Sequence, residues 1–178
     1  MKLLRAIRLD SSDPFVFERA AEPGQWVVSG AFLFADAADL PPKARVALRS
    51  GFLGIEDFGW TTLAVVVAAS AHEIEAAVET LARGFAERLG APVEEARAAA
   101  REEIAYARSL ADHPEGMLIA VSRAVENGEI VERFRTLMRR EAAPGAPLSP
   151  QRVFEFVETQ ESEDDVDFAA LLAQKSEP

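Results

Sequence analysis

Cysteine is absent from this 178-residue chain, which excludes disulfide cross-links, thiol nucleophiles, iron–sulfur ligation by its own side chains and cysteine-based zinc sites. Histidine occurs only twice, so imidazole, a usual carrier of acid–base and metal chemistry, is scarce. No long hydrophobic run exists either. The longest, Leu63 to Ala69, falls far short of the roughly 20 apolar residues that cross a bilayer as a helix. At the start of the chain, Arg5 and Arg8 interrupt the apolar residues, which argues against a secretory signal and leads us to expect a cytoplasmic protein. Positive charge is in short supply: 19 Lys and Arg face 30 Asp and Glu, a net −11. That balance reads against nucleic-acid or anionic-membrane binding, which needs clustered basic residues to displace counterions.

What the chain does have is 49% hydrophobic and 28% charged side chains, enough for one substantial core. Ten glycines and ten prolines without a repeat exclude collagen-like and low-complexity architectures. Ala142–Pro150, with three prolines and one glycine, reads as a linker, so a single domain is expected over 1–141. Residues 151–178 then form an acidic extension. From Glu155 onward it carries eight acids against Lys175, a net −7. Within it, Val153–Val157 suits an edge strand, and Asp165–Ala173 suits a short amphipathic helix with acids at its N-terminus.

Within the domain, Lys2–Leu9 and Phe15–Phe17 read as short strands around a Ser-Ser-Asp-Pro turn. Trp26–Phe34 places Trp26, Val28, Phe32 and Phe34 on one face at period two, and predicts another strand. Asp39 is a candidate cap for a helix through Arg49, with Gly51 available to end it. The β-branched run to Ala68 predicts a central strand buried on both faces. Ser70-Ala71-His72-Glu73 has the form of a capping box opening a helix that Gly90 ends. A second helix from about Pro92 to Leu110 has an Ala-rich face, and the pair predicts an antiparallel hairpin over the sheet.

Asn127-Gly128 favours a two-residue hairpin turn, and pairing Glu126 with Glu129 sets Val125 opposite Ile130, Arg123 opposite Glu132 and Val121 opposite Phe134. A helix over 129–140 is the competing reading, since Ile130, Val131, Phe134, Leu137 and Met138 also keep helical spacing. The fold class predicted is α+β, a mainly antiparallel sheet packed against a two-helix hairpin.

Neither His72 nor His113 lies in a nucleophile-elbow, zincin or phosphate-loop context, so both read as helix-end surface residues and no catalytic, cofactor or metal residue is assigned. Three groups remain. Phe52, Glu56, Asp57, Phe58 and Trp60 form either a packed turn or an aromatic pocket around two acids. Arg123, Arg133, Arg135, Arg139 and Arg140 form either a solvated, salt-bridged face or a site for an anion or acidic partner. Phe168, Leu171 and Leu172 belong either to a solvated acidic tail or to a docking segment that enters a partner's groove or that of its own body.

Lys2–Asp10, Phe15-Val16-Phe17-Glu18, Pro23-Gly24-Gln25-Trp26 and Phe58-Gly59-Trp60-Thr61-Thr62 together resemble a small alphaproteobacterial family known only as a domain of unknown function. The resemblance covers about residues 1–140 and carries over no active-site residue. It implies at most a helper role in redox-enzyme or cofactor maturation. The residues themselves point to a non-catalytic accessory or protein-binding module with a protein partner. A small-molecule binding protein or enzyme with its pocket at 52–60, and a homo-oligomeric scaffold, are the alternatives.

Overall fold

The computed structural model describes residues 1–8, 12–35, 39–139 and 156–158. Its largest element is a five-stranded antiparallel sheet in the order β1-β5-β6-β7-β8, made of β1 (Lys2–Ile7), β5 (Leu63–Ala68), β6 (Leu118–Glu126), β7 (Glu129–Arg139) and β8 (Phe156–Glu158). A smaller three-stranded sheet, β2 (Val27–Val28), β3 (Phe52–Gly54) and β4 (Trp60–Thr61), is also antiparallel. The fold is α+β. The single sheet expected from the sequence is two, because Thr61 ends one ladder and Leu63 begins the other.

The helical hairpin forms where local chemistry dictates it. Ser70 accepts from the Glu73 backbone while Glu73 reaches back to the Ser70 N–H, a complete capping box that opens α3 (Ala71–Leu89). Those bonds and the nearby Arg5 hold the Glu73 carboxyl below the usual range. Gly90, at φ 71°, closes the helix in the left-handed region that favours glycine. Helix α4 (Val93–Leu110) turns back along α3, burying Ala96, Ala100, Ile104 and Ala107. Arg97 pins the two helices by donating to both carboxylate oxygens of Glu79 at 2.9 and 3.1 Å.

Four local expectations are corrected. Phe15–Phe17 is not a strand, since Asp13–Val16 forms a single helical turn, α1, with proline in its first turn. Buried Asp13 holds that turn by accepting from the Thr61 and Thr62 hydroxyls at 3.1 and 2.9 Å. The stretch from Trp26 to Phe34 is not one strand, because Gly30 at φ 79° breaks it and Ala31–Phe34 coils into a 3-10 turn. A β-carbon at Gly30 would lie 2.6 Å from the Leu53 Cβ, so close approach of β3 explains the glycine. Helix α2 (Pro42–Ser50) takes Pro41 rather than Asp39 as its cap residue. Finally, β5 is fully buried on one face only: Ala64 and Val66 are buried, whereas Leu63, Val65 and Val67 are half-exposed, Val67 packing against the cluster that holds Leu3 and Val78.

The β6–β7 hairpin has the register its sequence predicts, with Arg123 opposite Glu132, Val121 opposite Phe134 and Val125 opposite Ile130. Asn127 and Gly128 both take positive φ, 53° and 85°, as the tight turn requires. The competing helix over 129–140 is thereby excluded through Arg139, the last residue of β7. Strand β8 pairs with β7 at the sheet's edge, agreeing with the latter part of the expected strand 153–157. The expected linker 142–150 and tail helix 165–173 lie outside the described residues.

The pleat divides the large sheet into two unlike faces. Leu4, Ala6, Ala64, Val66, Ile119 and Val121 form a buried cluster with Val27 and Phe52 of the small sheet. A second cluster joins Val28, Leu53 and Ile55 to the hairpin residues Val78, Leu81 and Ile104. The opposite face of the large sheet carries the rows Leu63–Ala120–Arg135 and Val65–Leu118–Leu137. Leu63, Val65, Ala120 and Leu137 there are half-exposed and belong to none of the buried clusters.

Candidate functional site

The strongest concentration of buried polar chemistry centres on Arg123. Its position in β6 places it on the inner face, one row along from Val121, and its side chain is 0% exposed. The Nε donates to Glu132 Oε1 at 2.6 Å. One terminal nitrogen donates to the carbonyls of Gly51 at 2.8 Å and Leu48 at 3.1 Å, at the end of α2. The other donates to the Ser29 carbonyl and to its hydroxyl oxygen at 3.1 Å. A cation at a helix C-terminus also opposes the negative end of the helix dipole. The guanidinium thus ties the loop after β2, the end of α2 and strand β7 to one point, and Arg123 is not part of the solvated face the sequence suggested.

Glu132 completes the arrangement. Its Oε1 also accepts from the Ser29 hydroxyl, and its Oε2 accepts from Tyr106 of α4 at 3.0 Å. The Tyr106 phenol is pushed up by burial and by the Glu132 charge. Glu103, one turn earlier on α4, has its carboxyl pushed up to about 7, chiefly by burial and then by the negative charges of Glu132 and Glu102. Both Glu132 oxygens and the guanidinium are taken up by internal bonds. The network is an electrostatic clamp with one proton-exchanging group, Glu103, at its margin.

The sequence singled out Arg123 and its pairing with Glu132, and missed Ser29, Glu103 and Tyr106. The only available signal was Tyr106, the sole tyrosine of the chain, on an otherwise Ala-rich helix. The remaining arginines are placed elsewhere. Arg133 and Arg135 alternate with Glu132 and Phe134 along β7, which directs them to the half-exposed face, and both are exposed. Arg133 donates to Glu126 at 2.8 Å. Arg139 is the last residue of β7. Arg140, Phe168, Leu171 and Leu172 lie outside the described residues.

The 52–60 segment sends its aromatic residues in three directions. Phe52 enters the cluster between the sheets, Phe58 lies edge-on to Phe85 of α3, and Trp60 stacks on Phe34 at 5.2 Å. Phe58 takes a positive φ of 57°. Asp57 spends its carboxylate on the backbone N–H groups of Glu22 at 3.0 Å and Gly59 at 2.8 Å. Glu56 is exposed, and its backbone N–H donates to Gln25. Among the described residues, no group of three His, Asp or Glu side chains is placed to hold a metal ion, and no helix is long and apolar enough to cross a membrane.

Comparison with known families places this arrangement in context. A family of unknown function, DUF6505, matches residues 1–145. The chain belongs to that family. The DUF6505 match takes in both sheets as far as β7, the helical hairpin and every residue of the Arg123 clamp. It stops short of β8 and the acidic extension. No curated protein and no solved structure matches the chain.

Proposed function

We propose that this chain is a non-catalytic, protein-binding accessory module whose binding surface is the half-exposed face of the large sheet. The observation that carries the reading is the composition of that face. Half-exposed aliphatic side chains, Leu63, Val65, Ala120 and Leu137 around the buried Leu118, run directly into the exposed Arg133 and Arg135. An aliphatic surface rimmed by arginine suits an acidic amphipathic segment of another protein, because apolar burial supplies affinity while the charges set orientation and choice of partner. The inner polar groups support a structural role for the opposite face, since Arg123 is bonded to the Gly51 and Ser29 carbonyls and to Glu132. The family resemblance suggests the class of client to try first, an enzyme undergoing redox-cofactor assembly.

The test is capture of partners on the immobilised full chain, comparing the native protein with Arg133→Glu combined with Arg135→Glu. Loss of a saturable partner from the charge-reversed protein is the expected result. A partner set unchanged by both substitutions overturns the reading.

A further inference from the structure

We propose that two copies of this chain join edge to edge through the outer edge of β7, their strands antiparallel about a two-fold axis at Glu132. The dimer is independent of the partner binding proposed above, and its test is read on the purified chain alone.

The open edge follows from the hairpin. In a two-residue hairpin the closing pair, here Glu126 with Glu129, exchanges both of its backbone bonds. Val131, Arg133 and Arg135 therefore turn their N–H and C=O groups toward β6, and Ile130, Glu132 and Phe134 turn theirs away from it. On that outer side β8 covers only Leu137–Arg139. Among the described residues β7 pairs with β6 and β8 alone. Ile130–Phe134 thus presents a row of backbone donors and acceptors, the arrangement to which another strand adds.

The order of the side chains selects the occupant. An edge that charge keeps away from its own copies carries one sign, whereas β7 has Glu129 at one end of this stretch and Arg135 at the other. A two-fold at Glu132, the middle of the open row, sets Glu129 of each copy opposite Arg135 of the other on the half-exposed face. On the inner face it sets Ile130 opposite Phe134, a β-branched residue against an aromatic one. Both are half-exposed in the single chain, so the contact also covers apolar surface. The same rotation brings the outward backbone groups of Ile130, Glu132 and Phe134 into register, and each facing pair exchanges two bonds.

Neighbouring registers are worse. An axis at Arg133 would set Arg133 against its own copy, and an axis at Val131 would place Phe134 opposite the turn residue Gly128. The two Glu132 carboxylates that meet at the chosen axis are already held by Arg123, Ser29 and Tyr106, so no uncompensated charges are brought together. Antiparallel pairing keeps each face on its own side, and the half-exposed aliphatic faces of the two copies then lie side by side.

Sedimentation velocity on the full chain, from low to high micromolar concentration, should show a reversible monomer–dimer equilibrium. Glu129→Arg and Arg135→Glu should each weaken the dimer at least ~tenfold, because the two-fold repeats every cross-strand pair, and the two substitutions in one chain should restore it to within about threefold of native. Amide hydrogen exchange reads the edge without any substitution. At the high concentration the N–H groups of Ile130, Glu132 and Phe134 should exchange at least ~tenfold more slowly than at the low one, while that of Arg133, already bonded to β6, should not change. A strict monomer across this range overturns the proposal. A dimer indifferent to the charge exchange, or one in which the outward amides gain no protection, also overturns it and assigns dimerisation to another surface.

Discussion

Arg123 and Arg133 occupy neighbouring strands of one hairpin, yet the side chain of the first is 0% exposed and that of the second 57% exposed. Each makes an ion pair, Arg123 with Glu132 at 2.6 Å and Arg133 with Glu126 at 2.8 Å. What separates them is the parity of the pleat: Arg123 faces inward opposite Glu132, and Arg133 faces outward opposite Ser122. The inward arginine binds parts of the chain that are distant in sequence and is committed to the fold. Its outward counterpart lies on a half-exposed aliphatic surface, where charge contributes to recognition more than to stability. An arginine-rich stretch on a strand is therefore two populations, not one cluster.

The largest expected effect comes from breaking the inward member. Arg123→Met leaves the α2 carbonyls and a largely buried Glu132 without their partner, and should cost about 3–5 kcal/mol in denaturant unfolding. A loss under about 1 kcal/mol would show that the clamp is not holding the layers together. Adding Glu132→Leu removes the orphaned charge and should return at least ~1 kcal/mol of that loss.

The two faces can next be compared in adjacent residues of β5. Val66→Ala, on the buried face, should cost about 2 kcal/mol. The same change at half-exposed Val65 should cost about half as much, and equal losses by urea titration would erase the distinction between the faces.

Glu103 sharpens the comparison through pH. Its folded-state carboxyl titrates near 7 against an ordinary value of 4.5. Between those values the folded protein holds the extra proton, so stability falls as pH rises through the window and the full penalty is present above it. Glu103→Gln should raise stability at pH 8 by about 1–2 kcal/mol, after allowance for solvent screening, and leave it nearly unchanged at pH 4. Parallel pH–stability curves for native and variant protein would contradict this.

The smallest effect belongs to the outward arginine. Arg133→Ala should change stability by less than ~0.5 kcal/mol, and a loss comparable to that at Arg123 would move it into the structural class.

Much of this contrast was written into neighbouring residues. The Asn-Gly turn and the alternation beyond it specify that Arg123 meets Glu132, and the Ser70–Glu73 box and Gly90 mark the ends of α3, because each depends on chemistry within a few positions. The acceptors around Arg123 were not readable, since the carbonyls of Ser29, Leu48 and Gly51 exist at every residue and carry no signature in sequence. The apparent strand from Trp26 to Phe34 failed for a related reason. Its period-two pattern is real, but the close approach of Leu53 to Gly30 decides the backbone, and that contact belongs to the tertiary structure. Leu63 and Val65 looked like core because β-branched and aliphatic residues also serve on a sheet's outer surface.

The Arg123 clamp also orders events in time. Its bonds to Ser29 and Gly51 span 94 and 72 residues of sequence, so they cannot form until the second half of the chain has been synthesised and its hairpin has closed. Until then the end of α2 must rely on water for the carbonyls that the guanidinium later takes. Long-range closure of this kind slows folding. A nascent or truncated chain ending before Glu132 would carry both early sheet fragments with nothing to lock them, exposing the surfaces on which chaperones and proteases act.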